Sequence, residues 1–325
     1  MEMRLSGAVS ATLALCIAWA GAAAASAATR LTGEGRIALC LRDAGGRLQI
    51  FTIRPDGADR KQLTFDGDNG VPAWSRDGAK ITYSTNRPDG PWIAVMDADG
   101  SDRTILAQGI ASDWHPDGTR IAYTCGRQIC VMDADGGRQE QITHSSSFKA
   151  RPSWSPDGKR MTFILVQNPE SRDSPKPQIG ILNADGTGER LLTRKKRVNV
   201  RVEPNGSKTL LETAHDANAP SWSPAGDRIA FWSGIETQYG QIWTIRADGT
   251  GSRQLTDDPR HRNSDDPSWS PDGKKILFST GRSGKNELWV MNADGSGQRR
   301  LSDIDADPFP GRASWQPVPA VAPSP

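Results

Sequence analysis

Four histidines, one run of spaced aspartates and a few cysteines are the residues of this chain best suited to chemistry. His115, His144, His215 and His261 come from well-separated stretches. Gathered beside a carboxylate, the last three could bind a metal or exchange protons, because imidazole changes charge near neutrality. Left apart, they are loop histidines with no chemical role. Asp303, Asp305 and Asp307 open with the rhythm of a calcium loop. The rule then fails, because Pro308 stands at the sixth position instead of Gly and Ser314 at the twelfth instead of Glu. Cys40, Cys125 and Cys130 have no histidine at zinc-ligand spacing. No G-x-S-x-G phrase positions a nucleophile. These residues predict no catalytic group, no metal and no cofactor.

Composition narrows the class further. The chain has 325 residues, with 40 Lys and Arg against 38 Asp and Glu, for a net charge of +2. That balance argues against a dedicated nucleic-acid binder, which carries a strong basic excess. Residues 1–27 read as a secretory signal peptide: Arg4, an apolar stretch from Ala8 to Ala20, and the small residues Ala25-Ser26-Ala27 at the cleavage point. Leu15 ahead of Cys16 argues against a lipidation site. Residues 28–34 form a short lead. No later stretch reaches the length of a membrane span, so the mature chain is expected to be exported, periplasmic or secreted. Export places the remaining cysteines in an oxidising compartment. Cys125 and Cys130 flank the tip of a tight hairpin. They are either a disulfide, which would contribute about 2 kcal/mol in the chain-entropy model, or two packed thiols. The register decides between the two. Cys40 is left over in a buried strand.

The elements that must position these residues come from a repeat. Trp recurs at 74, 114, 154, 222, 269 and 315, each time inside near-copies of one phrase, such as PSWSPDGKKILF at 267–278. A second phrase alternates with it: IRPDG at 53–57, MDADG at 96–100 and 132–136, LNADG at 182–186, IRADG at 245–249 and MNADG at 291–295. Each unit reads as four short strands. Strand A carries the Trp, a Ser-Pro-Asp-Gly turn follows, and strand B alternates as in Lys275–Ser279. Strand C leads into the Ala-Asp-Gly turn, and strand D closes the unit. Six units of four strands predict an all-β, six-bladed β-propeller over residues 35–318. The chain enters this region on a strand B, Arg36-Ile37-Ala38-Leu39, and its last phrase is a strand A, Ser314-Trp315. The C-terminal strand should therefore complete the first blade and close the ring. Residues 319–325 form a Pro-rich tail that is expected to be disordered. The six phase-matched Trp read as packing between blades. Trp92, Trp232, Trp243 and Trp289 fall outside that column and read as core or blade edge.

Loop length separates two faces. The A–B and C–D turns barely vary, whereas the B–C and D–A loops range from about two residues at Gly126-Arg127 to more than twenty before Pro220. Binding residues tend to ride on variable loops held by a rigid scaffold, so this face and the channel mouth it surrounds form the default site. Its candidates are Asp68, Asn69, Lys149, Arg151, Asp216, Asn218, Asp265, Asp266 and Arg312. Residues 194–215 read as an inserted β-hairpin whose basic base holds Lys195, Lys196 and Arg197. It is either a solvated loop or a docking arm.

The Trp phrases resemble the TolB-like β-propeller repeat, the WD-type variant with a W-S-P-D-G-x-x-I-x-F signature. The resemblance covers about residues 35–318. It implies the fold directly and function only loosely, since one fold hosts many roles. Family members include a periplasmic protein that binds a peptidoglycan-associated lipoprotein through its propeller. That relative carries an N-terminal domain for which the residues ahead of Arg36 leave no room. The resemblance therefore implies an exported, non-catalytic, monomeric propeller that binds an envelope protein or peptide through its variable face, with no nucleic acid and no membrane span. The alternatives are a propeller enzyme, a polysaccharide lyase or hydrolase, or a binder of glycans or small ligands at the same face.

Overall fold

Strands that are apolar on both faces are stable only when sheets stand against sheets, and the ring of blades meets that need. A computed structural model describes residues 35–167, 176–193, 216–234, 239–258, 263–301 and 313–317, together with the backbone of 196–202 and 208–213. The chain divides into two units, Met1–Glu34 and Gly35–Pro325. The described residues all belong to the second. The leader, the Asp303–Asp307 run, His215, His261 and the tail lie outside them.

Six four-stranded antiparallel sheets form the blades. Blade 1 consists of Ser314–Trp315, Ile37–Arg42, Leu48–Ile53 and Lys61–Gln62. Blade 2 is Asn69–Trp74, Lys80–Arg87, Gly90–Asp97 and Thr104–Gln108. Blade 3 is Ile110–Trp114, Arg120–Cys125, Gln128–Asp133 and Glu140–Gln141. Blade 4 is Phe148–Trp154, Arg160–Val166, Gln178–Asn183 and Arg190–Leu191. Blade 5 is Ala217–Trp222, Arg228–Ser233, Gln241–Arg246 and Arg253–Gln254. Blade 6 is Ser264–Trp269, Lys275–Thr280, Glu287–Asn292 and Arg299–Arg300. Between blades 4 and 5 a separate hairpin pairs Lys196–Val202 with Lys208–Thr213. It lies where the sequence predicted the insertion.

The ring closes as the repeat phase requires. Ile37 pairs with Trp315 and Ala38 with Ser314. Gln316 extends the latch: its N–H donates to Arg36 O at 2.7 Å, its side-chain oxygen accepts from Arg36 N at 2.9 Å, and its amide donates to Gly78 O at 2.8 Å. N- and C-terminal segments thus share one sheet, which removes two open edges.

Among the described residues the core is six apolar clusters, one at each blade interface. Trp74, for example, packs with Ala38, Ile50 and Leu63 of the preceding blade, and Trp269 with Ala230, Ile242 and Leu255. The inner strands are also stitched directly. The Trp222 indole donates to Ser153 O at 3.1 Å and the Trp315 indole to Ser268 O at 3.2 Å. Trp154 N donates to Asp113 Oδ2 at 2.8 Å. In each case the acceptor is the residue just before the Trp of the preceding blade, so the phrase builds the contact that joins one repeat to the next.

The turn chemistry repeats as well. Ser75, Ser155 and Ser270 each donate to the aspartate two residues on at 2.6 Å and accept the backbone N–H that closes the turn. His115 takes the Ser position in blade 3, with Nδ1 2.7 Å from Asp117 and its ring edge-on to Trp154. In blade 3 the register sets Cys125 opposite Gln128 and Cys130 opposite Tyr123. The two cysteines are therefore diagonal neighbours on one face. Their Cα atoms are 5.8 Å apart and the sulfurs are bonded, within the span that a disulfide bridges. Cys40 is buried, and burial pushes its thiol up to about 12.

Candidate functional site at the channel mouth

Strand A is the innermost strand of each blade. The six repeat Trp, together with turn prolines such as Pro116, Pro156 and Pro271, line a recess of about 170 Å³ at the constant-turn end of the channel. The opposite end takes its character from an irregularity that recurs along strand A. In blades 2 to 6 the A–B register shifts by one residue, between Gly70 and Ala73, Ile110 and Asp113, Ala150 and Ser153, Asn218 and Ser221, and Asp265 and Ser268. Each bulge holds one non-glycine residue in the left-handed region: Val71, Ala111, Arg151, Ala219 and Asp266, with φ between 48° and 55°. Every one stands three residues before its Trp. Bulges of this kind re-aim a side chain, and left-handed backbone at a non-glycine residue costs about 1–3 kcal/mol. By sequence register Arg312 holds the same position before Trp315; it lies outside the described residues.

The strand that receives a bulge has to satisfy its displaced N–H. At two interfaces a hydroxyl on strand B of the preceding blade does this: Ala111 N donates to Ser84 Oγ and Arg151 N to Thr124 Oγ1, both at 3.0 Å. In blade 5, Ala219 N turns instead to the adjacent Asn218 Oδ1 at 2.7 Å. The position filled by Ser84 and Thr124 is held in blade 4 by Ile164, which offers Ala219 no acceptor, and in blade 5 by Trp232, which faces the bulge of blade 6. An indole cannot act as that acceptor, and here the channel wall opens into a recess.

That recess has a volume of about 260 Å³ and is lined by Arg151, Asn218, Ala219, Trp232, Asp265 and Asp266. Three blades contribute. Arg151 of blade 4 reaches past the small Ala219 of blade 5 to meet Asp266 of blade 6, with Nη1 to Oδ1 at 2.7 Å. Asp266 is only 7% exposed. Asp265 stands beside it with no ion pair among the described residues. Burial, then the Asp266 charge, push the Asp265 carboxyl up to about 7, and Arg151 draws it partly back. The Trp232 indole lies close enough to favour the charged form slightly. Its N–H reaches no acceptor at hydrogen-bond geometry, so the contact is a weak polar one. Gly240 backs the indole: a Cβ there would collide with the ring.

Of the residues singled out from the sequence, Arg151, Asn218, Asp265 and Asp266 come together. The others are placed differently. Asn69 is buried, and its amide donates to Gln49 Oε1 at 3.0 Å and Asp66 O at 2.6 Å. Asp68 is exposed and accepts from Leu48 N at 3.0 Å. Lys149 is fully buried, with its ammonium on Ser145 Oγ and 3.4 Å from Glu189. It ties blade elements together and presents nothing to the mouth. Asp216 is paired with Lys176 at 2.8 Å. Lys195 lies outside the described residues, and only the backbone of Lys196 and Arg197 is described. Trp232, read from sequence as core or blade edge, instead walls the recess. A signal for it existed: aligned on the Trp phrase, its position holds Cys40, Ser84, Thr124, Ile164 and Ser279 in the other blades, and only blade 5 places a large ring there.

Among the described residues no group of three or more His, Cys, Asp or Glu is placed to hold a metal, and no helix is long and apolar enough to cross a membrane.

Comparison with known proteins agrees with this architecture. The family model for the TolB beta propeller domain matches residues 71–218 and 206–317. The Tol-Pal system protein TolB of Anaeromyxobacter dehalogenans is 30% identical over 226 residues, covering 70% of this chain and 39% of that protein. The chain thus spans about two-fifths of the length of that relative. The crystal structure of TolB from Acinetobacter baumannii superposes with a TM-score of 0.64 at 21% identity, over 92% of this chain and 71% of that one. A TolB candidate from Agrobacterium tumefaciens gives 0.63 at 21% identity, over 88% and 95%. At that identity the two structures speak for the fold alone. On the match of the family model across most of the repeat region, the chain belongs to the TolB β-propeller domain family.

Proposed function

We propose that this protein is an exported, non-catalytic propeller that binds a protein or peptide of the cell envelope through its variable-loop face. The observation that carries the reading is the recess at the channel mouth. Side chains from strand A of blades 4, 5 and 6 and from strand B of blade 5 converge there on one charged, partly desolvated pocket. A rigid ring holding variable loops around such a pocket is the usual arrangement for recognition. The inserted hairpin lies by sequence in the D–A connection between blades 4 and 5 and is proposed as a second contact arm, with the basic base Lys195–Arg197.

An enzymatic reading would use Asp265, whose carboxyl is poised near neutrality. Glycoside hydrolysis needs two working carboxyl groups. Here the neighbouring Asp266 is held by Arg151, so the pair is incomplete and the binding role is favoured.

The test is capture from envelope extract by cross-linking, with the chain lacking residues 1–27 as bait and a second bait that also lacks 195–213. A protein captured by the first bait and lost with the second supports both the role and the arm. Capture unchanged by the deletion places binding at the mouth alone. Failure of both baits to enrich any protein above a denatured control overturns the reading.

A further inference from the structure

We propose that the mouth recess receives a single cationic group, the ammonium or guanidinium end of a basic side chain on the bound partner, seated against the Asp265 carboxylate and the neighbouring Trp232 ring. This rests on the reading of the mouth as a docking site and specifies its chemistry.

The recess holds three charged groups, Arg151, Asp265 and Asp266. Arg151 and Asp266 neutralise each other at 2.7 Å. Asp265 is left as the one carboxylate in the recess without a counter-ion among the described residues. A partly desolvated carboxylate with no cation is unfavourable, and its raised pKa expresses that deficit. An incoming cation would supply the missing charge and displace the proton. An incoming anion would face two carboxylates, and Arg151, the one guanidinium among the described lining residues, is already engaged.

Shape and wall chemistry point the same way. Aromatic faces attract cations, most strongly when water is excluded, and the Trp232 indole lines the recess beside the carboxylate, with no space between it and Gly240 for a side chain. At about 260 Å³, the space falls below the ~300–1,000 Å³ of pockets that enclose drug-sized ligands. It suits the end of one side chain better than a sugar chain or a cofactor. The fold provides this site once. Of the five described bulges, only that of blade 6 faces a large aromatic ring on the preceding strand B, and only there do two carboxylates follow in sequence.

The test uses three probes that differ in charge at constant length: the blocked tripeptides Gly-Lys-Gly, Gly-Arg-Gly and Gly-norleucine-Gly. Binding to the protein is read by saturation-transfer NMR at pH 7.5. The expected result is that the basic peptides bind and norleucine does not. Asp265→Asn should weaken the basic peptides at least about tenfold, the loss of one charge-assisted contact. Arg151→Gln, which leaves both carboxylates without their internal cation, should tighten them. Equal binding of norleucine, or equal affinity in wild type and a folded Asp265→Asn, overturns the proposal. If Asp265→Asn fails to fold, loosened binding in Arg151→Gln overturns it alone. Capture of an envelope protein by wild type that persists in Asp265→Asn, without binding of the basic peptides, sinks the cation site and leaves the docking role standing. Basic-peptide binding that depends on Asp265, with no protein captured, supports the cation site and counts against the docking role.

Discussion

Asp265→Asn should make the protein more stable at neutral pH, and the gain should vanish in acid. The folded state raises this carboxyl from 3.8 to about 7, through burial first and the Asp266 charge second. A carboxyl whose folded pKa lies above its unfolded value binds protons more tightly when folded. Its contribution is therefore fully present below about pH 4 and is lost as pH rises through about 7. At 1.36 kcal/mol per pH unit the whole interval corresponds to about 4 kcal/mol. Partial contact of the carboxyl with solvent lowers this, and a gain of about 2–4 kcal/mol is expected. The assay is urea unfolding of wild type and variant at half-unit steps from pH 4 to 8.5. Carboxylates remote from the recess titrate alike in both proteins and cancel in the difference. The difference should be near zero at pH 4, grow with pH and level off above about 7.5. A flat difference across the range, or one that favours wild type at pH 8, would refute the placement of Asp265 beside Asp266 in a desolvated recess.

Three further outcomes are expected. Deleting residues 313–325 removes the latch of Trp315 and Gln316. Loss of the packed Trp alone should cost about 3–5 kcal/mol, lowering the melting temperature of the whole protein on the order of 10 °C; an unchanged melting temperature would contradict ring closure by this strand. Trp222→Phe should cost about 0.5–1.5 kcal/mol more than Trp269→Phe in denaturant titration. The first indole donates to Ser153 O and the second has no acceptor; equal costs would remove the indole bond from the account. Reducing the Cys125–Cys130 bridge should lower stability by about 2 kcal/mol in the chain-entropy model, measured by unfolding with and without reductant. No change would mean that the hairpin register alone holds this tip.

The two halves of the problem differed in how far the sequence could reveal them. The architecture is written locally. A Trp, a Ser-Pro-Asp-Gly turn and an alternating strand recur in phase, and the out-of-phase ends at Arg36 and Ser314–Trp315 point to the latch that the structure contains. The site is written non-locally. Arg151 and Asp266 are 115 residues apart, and only the closed ring brings blades 4 and 6 within reach across Ala219. Lys149 and Asn69 share the composition of a mouth residue but are buried, because both stand five residues before their Trp, a position that is also buried at Ala217 and Ser264, whereas Asp265 and Asp266 stand four and three before theirs. The bulge itself leaves no residue signature, since Val, Ala, Arg and Asp all occupy it. Trp232 was the legible exception, a large ring in a column of small and medium side chains.

Docking of partners at the variable-loop mouth can be mapped by site-specific photo-cross-linking in envelope extract. A photoreactive residue would be placed at Asp68 or Asn218 on the mouth side, and at Asp99 or Asp185 in the constant turns on the other side. Envelope adducts are expected from the first pair and none from the second. Adducts confined to Asp99 or Asp185 would contradict docking at the mouth.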